Sequence, residues 1–127
     1  MTLNNSQKIT VLGMGGTIAG VASDPSKPKE YAAGALGVAD LIGHLHLPTQ
    51  ISVEVHNVAQ INSKDMRAAN WQALLKAVHA ATHDPQTQAV VITHGTDTLE
   101  ESAYLLQAMG PWPKPVLFTC AMLPANA

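Results

Sequence analysis

The sequence predicts an α/β fold, a Rossmann-like, mostly parallel sheet flanked by helices, in one domain. Two observations predict it. Short apolar, β-branched runs alternate with stretches of helical periodicity along the 127 residues, the pattern of strands joined by crossover helices. Apolar residues make up 46% of the chain and charged residues 13%, which suits a packed core and argues against disorder.

Ile9 to Leu12 is a compact apolar run ending in glycines, the first strand. Ser23 to Lys29, rich in Pro, Ser and Lys, is expected to be a mobile loop. Val38 to Leu45 carries apolar residues at helical spacing, and Ile51, Val53 and Val55 alternate with polar residues as a strand does. Trp71, Leu74, Leu75 and Val78 fall on one face of a second helix, which should stop near Asp84-Pro85. Ala89 to Thr93 is a β-branched run. Thr98 and Glu101 have the spacing of a capping box and open a third helix, closed by Gly110-Pro111 after Met109. Val116 to Thr119 is the last strand.

Ligands of such sheets sit beyond the carboxyl ends of the strands. Each predicted strand here runs into a polar motif: GMGGTIAG, AQINSKDM, THGTDTLEE and TCAMLP. One edge of the sheet therefore collects the groups that can do chemistry.

Other function classes find less support. The net charge is −2 and no basic stripe is present, so nucleic acid and anionic membrane surfaces have no electrostatic footprint. The single cysteine, Cys120, excludes an internal disulfide and reads as a small buried residue at a strand end. The polar start MTLNNSQK carries no signal peptide, so the expected compartment is the cytoplasm, or the periplasm if a leader was removed. His44 and His46 have no acid or cysteine nearby to complete a metal set; His79 and His83 lack the intervening glutamate of a zinc motif, since Ala80 stands there. Both pairs read as solvated surface, and no metal or organic cofactor is expected.

Each motif has a structural and a functional reading. Gly13-Met14-Gly15-Gly16-Thr17 starts like a dinucleotide fingerprint, but Ile18 stands where the third glycine belongs. Thr17 is then either a turn or cap hydroxyl or a nucleophile. The run Thr93-His94-Gly95-Thr96-Asp97-Thr98 is either a strand-to-helix turn or a site. His94 is chemically able to act as a general base, although a strand-end histidine held by backbone hydrogen bonds fits better. Ser63-Lys64-Asp65 either caps the next helix or contacts a small zwitterion.

Taken together, KITVLGMGGTIAG and VVITHGTDTLEESAYLL resemble the two signature regions of bacterial L-asparaginases, most of all the type II group. KEYAAGALGVADL, INSKDM and PVLFTCAMLPANA are similar to the same family's intervening segments, so the resemblance runs from about Lys8 onward. It implies an amidohydrolase that converts L-asparagine and water to L-aspartate and ammonia through a threonine acyl-enzyme, with L-glutamine as a further candidate substrate.

Residue by residue, the resemblance implies Thr17 as nucleophile, Tyr31 as the tyrosine closing over it, and Thr96 as the second catalytic threonine, which positions water. It implies Asp97 as partner of the substrate ammonium and Ser63 as ligand of its α-carboxylate. Lys64 follows that serine where glutamine is common, and Ala121 offers a carbonyl near the leaving amide. Lys64 is expected to turn outward or meet the carboxylate. Leu123 and Cys120 also depart from the family's GAMRP pattern.

The resemblance further implies that residues 1–127 are an incomplete N-terminal domain. The family has a second, smaller domain, a catalytic lysine beyond this segment, and a homodimeric or homotetrameric assembly. Alone, the chain is expected to be weakly active or inactive, with an apolar sheet face left uncovered. The alternatives are a small amino-acid-binding module without turnover and a nucleotide-binding Rossmann domain.

Overall fold

The computed structural model describes residues 7–27, 31–34 and 36–126, with Tyr31 described by its backbone alone. Along the chain come β1 (Gln7–Gly15), β2 (Val21–Ala22), β3 (Tyr31–Ala32), α1 (Val38–Ile42), β4 (Ile51–Ile61), α2 (Ala68–Thr82), β5 (Thr87–Thr93), α3 (Leu99–Met109) and β6 (Val116–Thr119). Four strands form a wholly parallel sheet in the order β4-β1-β5-β6. The fold class expected from the sequence is the one the chain adopts. Parallel pairing puts all four carboxyl ends, and the motifs that follow them, at one edge.

One face of the sheet carries the core. Leu12 and Met14 of β1 and Val90 and Ile92 of β5 pack with Leu74, Val78 and Ala81 of α2 and Leu106 of α3. Fully burying a Leu or Val side chain contributes about 1.5–3 kcal/mol, so this cluster holds the sheet to both helices. Lys8 ties the opposite edge by pairing with Glu54 at 2.6 Å and Asp84 at 2.7 Å.

The other face meets only α1 among the described helices. A Cβ on Gly13 would lie 2.6 Å from the Val38 Cβ, so glycine lets α1 approach β1 closely. A groove of about 440 Å³ opens between Leu41, Ile42 and Leu45 on one side and Ile9, Val11 and Val91 on the other. Thr93 also lines this groove, and its buried hydroxyl has no hydrogen-bond partner among the described residues. A parallel sheet is normally covered on both faces; among the described residues this face carries α1 and the open apolar groove beside it.

Several local expectations are corrected. The first helix ends at Ile42 rather than Leu45, because Gly43 follows it and Pro48 lies just beyond. Ser63-Lys64-Asp65 forms its own 3₁₀ turn and does not cap α2. The Asn70 side chain instead accepts the Arg67 N–H at 2.9 Å there. Thr98 makes no capping bond to α3, since its hydroxyl donates to the Ser63 carbonyl at 2.9 Å. Cys120 is exposed, not buried, as it lies beyond the last β6 residue. The loop expected from Ser23 to Lys29 is turn and bend as far as Lys27, and its last two residues lie outside the described ones. The ends of α2 and α3 fall where Pro85 and Gly110 place them.

Candidate active site

The site is built from turns at the ends of β1, β4 and β5. Gly15 and Gly16 have φ of +94° and +80°, a region glycine enters without strain. They swing the chain out of β1 into a 3₁₀ turn at Thr17–Ala19. The Gly16 N–H donates to the Ile61 carbonyl at 2.8 Å, and its own carbonyl accepts the Gly34 N–H at 2.9 Å. The turn is thereby pinned to the end of β4.

The contact that assembles the site is main chain on main chain. A Cβ on Gly16 would fall on the Cα and N of Gly95, so the residues just before Thr17 and Thr96 touch. A Cβ on Gly95 would collide with the Ser63 side chain. Three of the four sequence motifs therefore converge on one point.

Ser63 is buried and joins two of them. Its Oγ accepts the Asp97 N–H at 3.0 Å, while its carbonyl accepts the Thr98 hydroxyl at 2.9 Å and the Met66 N–H at 3.2 Å. A serine hydroxyl that accepts in this way keeps its own proton to donate. Thr17 is buried, whereas Thr96, Asp97 and Lys64 are exposed. Lys64 thus takes the outward alternative.

The fourth motif lies alongside. Past β6, the Ala125 N–H donates to the Gly20 carbonyl at 2.9 Å, and the Asn126 side chain bonds both backbone groups of Ala22. This tether fixes Ala125 and Asn126 to the segment just after the Thr17 turn, and Ala121, earlier in the same stretch, is half-buried. Tyr31 pairs with Ala22 through the β2–β3 hairpin; its side chain, the subject of the sequence expectation, lies outside the described residues.

His94 is fully buried at the end of β5. Its Nδ1 lies 2.7 Å from the Gly95 carbonyl oxygen and its Nε2 lies 2.7 Å from Ser102 Oγ. Burial holds its pKa below the usual 6.5, against the smaller opposing effects of the Gly95 bond and the Glu101 charge. It is a held residue, as its position at a strand end suggested, although one of its partners is a side chain. That partner, Ser102, and the Trp71 indole bonded to it at 2.8 Å, carried no signal in the sequence. They come from two different helices, with no spacing rule between them.

The remaining histidine pairs are exposed. His79 and His83 stack with ring centroids 4.1 Å apart. Among the described residues no group of three metal-ligating side chains forms, and no helix is long and apolar enough to cross a membrane.

A parallel sheet whose carboxyl edge gathers hydroxyls and a carboxylate around touching glycines has the layout of α/β domains whose ligands sit beyond the strand ends. Residues 8–127 match the family model described as asparaginase, N-terminal, and the chain belongs to that family. It is 38% identical over 120 residues to L-asparaginase 2 of Escherichia coli, covering 94% of this chain and 34% of that protein. With a probable periplasmic L-asparaginase of Haemophilus influenzae it shares 39% identity, over 93% of this chain and 33% of that one. Its fold matches the crystal structure of a probable cytoplasmic L-asparaginase from Campylobacter jejuni with a TM-score of 0.86 at 36% identity, over 95% of this chain and 37% of that one. The chain spans about a third of the length of the curated relatives it matches.

Proposed function

We propose that this chain carries the nucleophile end of an L-asparagine amidohydrolase. The observation that carries the reading is the contact of Gly16 with Gly95, which sets the Thr17 and Thr96 turns side by side. In this reading the Thr17 hydroxyl attacks the side-chain amide carbon of L-asparagine. The tetrahedral oxyanion that forms needs preorganised donors. Collapse expels ammonia and leaves an ester on Thr17. Water positioned by Thr96 then cleaves the ester, returning the Thr17 hydroxyl and releasing L-aspartate.

Asp97 pairs with the substrate α-ammonium. Ser63, its acceptor role filled by the Asp97 N–H, donates its proton to the α-carboxylate. Tyr31 closes over Thr17, the Ala121 carbonyl faces the leaving amide, and Lys64 sits at the rim. L-Glutamine is the second substrate of the same chemistry, and the longer family protein works as a homo-oligomer. The nucleotide-binding alternative is disfavoured because the Gly16 N–H is already bonded to Ile61 and cannot cradle a phosphate.

The test traps the nucleophile. An asparagine analogue with a diazomethyl ketone in place of the amide should alkylate the Thr17 oxygen with loss of nitrogen, as mapped by mass spectrometry. Excess L-aspartate should protect it, and Thr17→Val should remove the label. Aspartate-protected labelling at another residue instead would reject Thr17 as nucleophile.

A further inference from the structure

Three elements meet at the buried His94 ring, and the chemistry of its partners assigns every proton. The Gly95 carbonyl can only accept, so His94 Nδ1 carries the hydrogen of that 2.7 Å bond. In the neutral ring Nε2 is then an acceptor, and Ser102 must donate to it across 2.7 Å. The Trp71 indole N–H, a donor only, supplies Ser102 Oγ from 2.8 Å. The order runs one way: Trp71 to Ser102, Ser102 to His94, His94 to the Gly95 carbonyl.

Gly95 needs such a hold. Its contact with Ser63 leaves no room for a Cβ, and without a Cβ its backbone is freer than that of a residue with a side chain. The Gly95–Thr96 peptide is trans, so its C=O and N–H point in opposite directions. Anchoring the carbonyl against the buried imidazole turns the Thr96 N–H the other way. An apolar side chain in place of His94 would fill the core but leave that peptide plane free to rotate. Burying an indole N–H, a hydroxyl and an imidazole is tolerable only when all are satisfied, as they are here.

We propose that Trp71, Ser102 and His94 are positioning residues: a one-way hydrogen-bond relay that fixes the peptide plane presenting Thr96 and Asp97 to the ligand. The ligand part rests on the reading of the site as one for asparagine and aspartate; the relay itself does not.

The test uses the full chain labelled with ¹⁵N. Long-range proton–nitrogen spectra should show His94 protonated at Nδ1 and unprotonated at Nε2 at neutral pH. Ser102→Ala should release that tautomer and move the Thr96 and Asp97 backbone amide signals. It should also weaken L-aspartate binding by about tenfold, the loss expected from one oriented hydrogen bond. Ser102→Thr, which restores the hydroxyl, should return the tautomer and the amide signals. Trp71→Phe, which keeps most of the ring, should move the same signals less. An Nε2–H or doubly protonated His94 in the wild type overturns the relay even if Ser102→Ala fails to fold. So do Thr96 and Asp97 amides that stay in place in both Ser102→Ala and Trp71→Phe. A wild-type chain that shows the expected tautomer but does not bind L-aspartate counts against the substrate reading and leaves the relay standing.

Discussion

The Ser63 hydroxyl accepts the Asp97 N–H at 3.0 Å, so a single buried oxygen joins the turn after β4 to the one before α3. Ser63→Ala leaves that N–H without its acceptor. The loss should be about 1–3 kcal/mol of stability, read as a lower urea midpoint with an unchanged slope. A midpoint equal to the wild type would mean that the bond contributes nothing.

Alanine at the two touching glycines should separate backbone strain from crowding. Gly16→Ala forces a non-glycine residue to φ +80° and onto the Gly95 main chain. The strain alone is worth about 1–3 kcal/mol. Gly95→Ala, with no positive φ to strain it, meets chiefly the Ser63 side chain and, at 3.1 Å, the Gly16 Cα, so it should destabilise less. Both should weaken L-aspartate binding by roughly tenfold to a hundredfold, since displacements near 1 Å have that effect on a preorganised site. Calorimetry showing undiminished binding in Gly95→Ala would contradict the assembly described above.

Two buried threonines should respond oppositely to the same substitution. Thr93 has a hydroxyl without a partner among the described residues, so Thr93→Val should be neutral or stabilising by up to about 1 kcal/mol. Thr10 shares a 3.0 Å bond with the Thr87 hydroxyl, so Thr10→Val strands Thr87 and should cost about 1–3 kcal/mol. Parallel thermal melts decide; a drop in Thr93→Val equal to that in Thr10→Val refutes the distinction.

His94 should make the fold sensitive to mild acid. Its folded pKa is depressed below 6.5, chiefly by burial, so the unfolded chain takes up the proton first. The sign follows: this residue's stabilisation is complete above about pH 6.5 and declines as the pH falls from there toward the folded value. Urea midpoints taken from about pH 8 down to 5 should show the decline, and His94→Gln should flatten it. An equally steep decline in the variant would assign it to other groups.

The sheet was legible because its signals are local. The β-branched runs of β1 and β5 and the apolar stripe of Leu74 and Val78 depend on residues close in sequence. The two signature motifs were legible for the same reason. What could not be read were choices made between distant partners. Thr98 had a local capping role open to it, but the Ser63 carbonyl, 35 residues away, took its hydroxyl. The β2–β3 hairpin, two residues per strand, is too short to show a period. Trp71 and Ser102 looked like ordinary helix residues, because what sets them apart is a ring on another element.

Gly16 and Gly95 meet without side chains between them, so the gauge of the pocket is set by the covalent dimensions of two peptide units rather than by rotamers. In the proposed reading, substitutions around the rim change the charge and outline of the site while the spacing of the two glycine turns stays constant, and a substrate that needs wider spacing calls for a longer loop first.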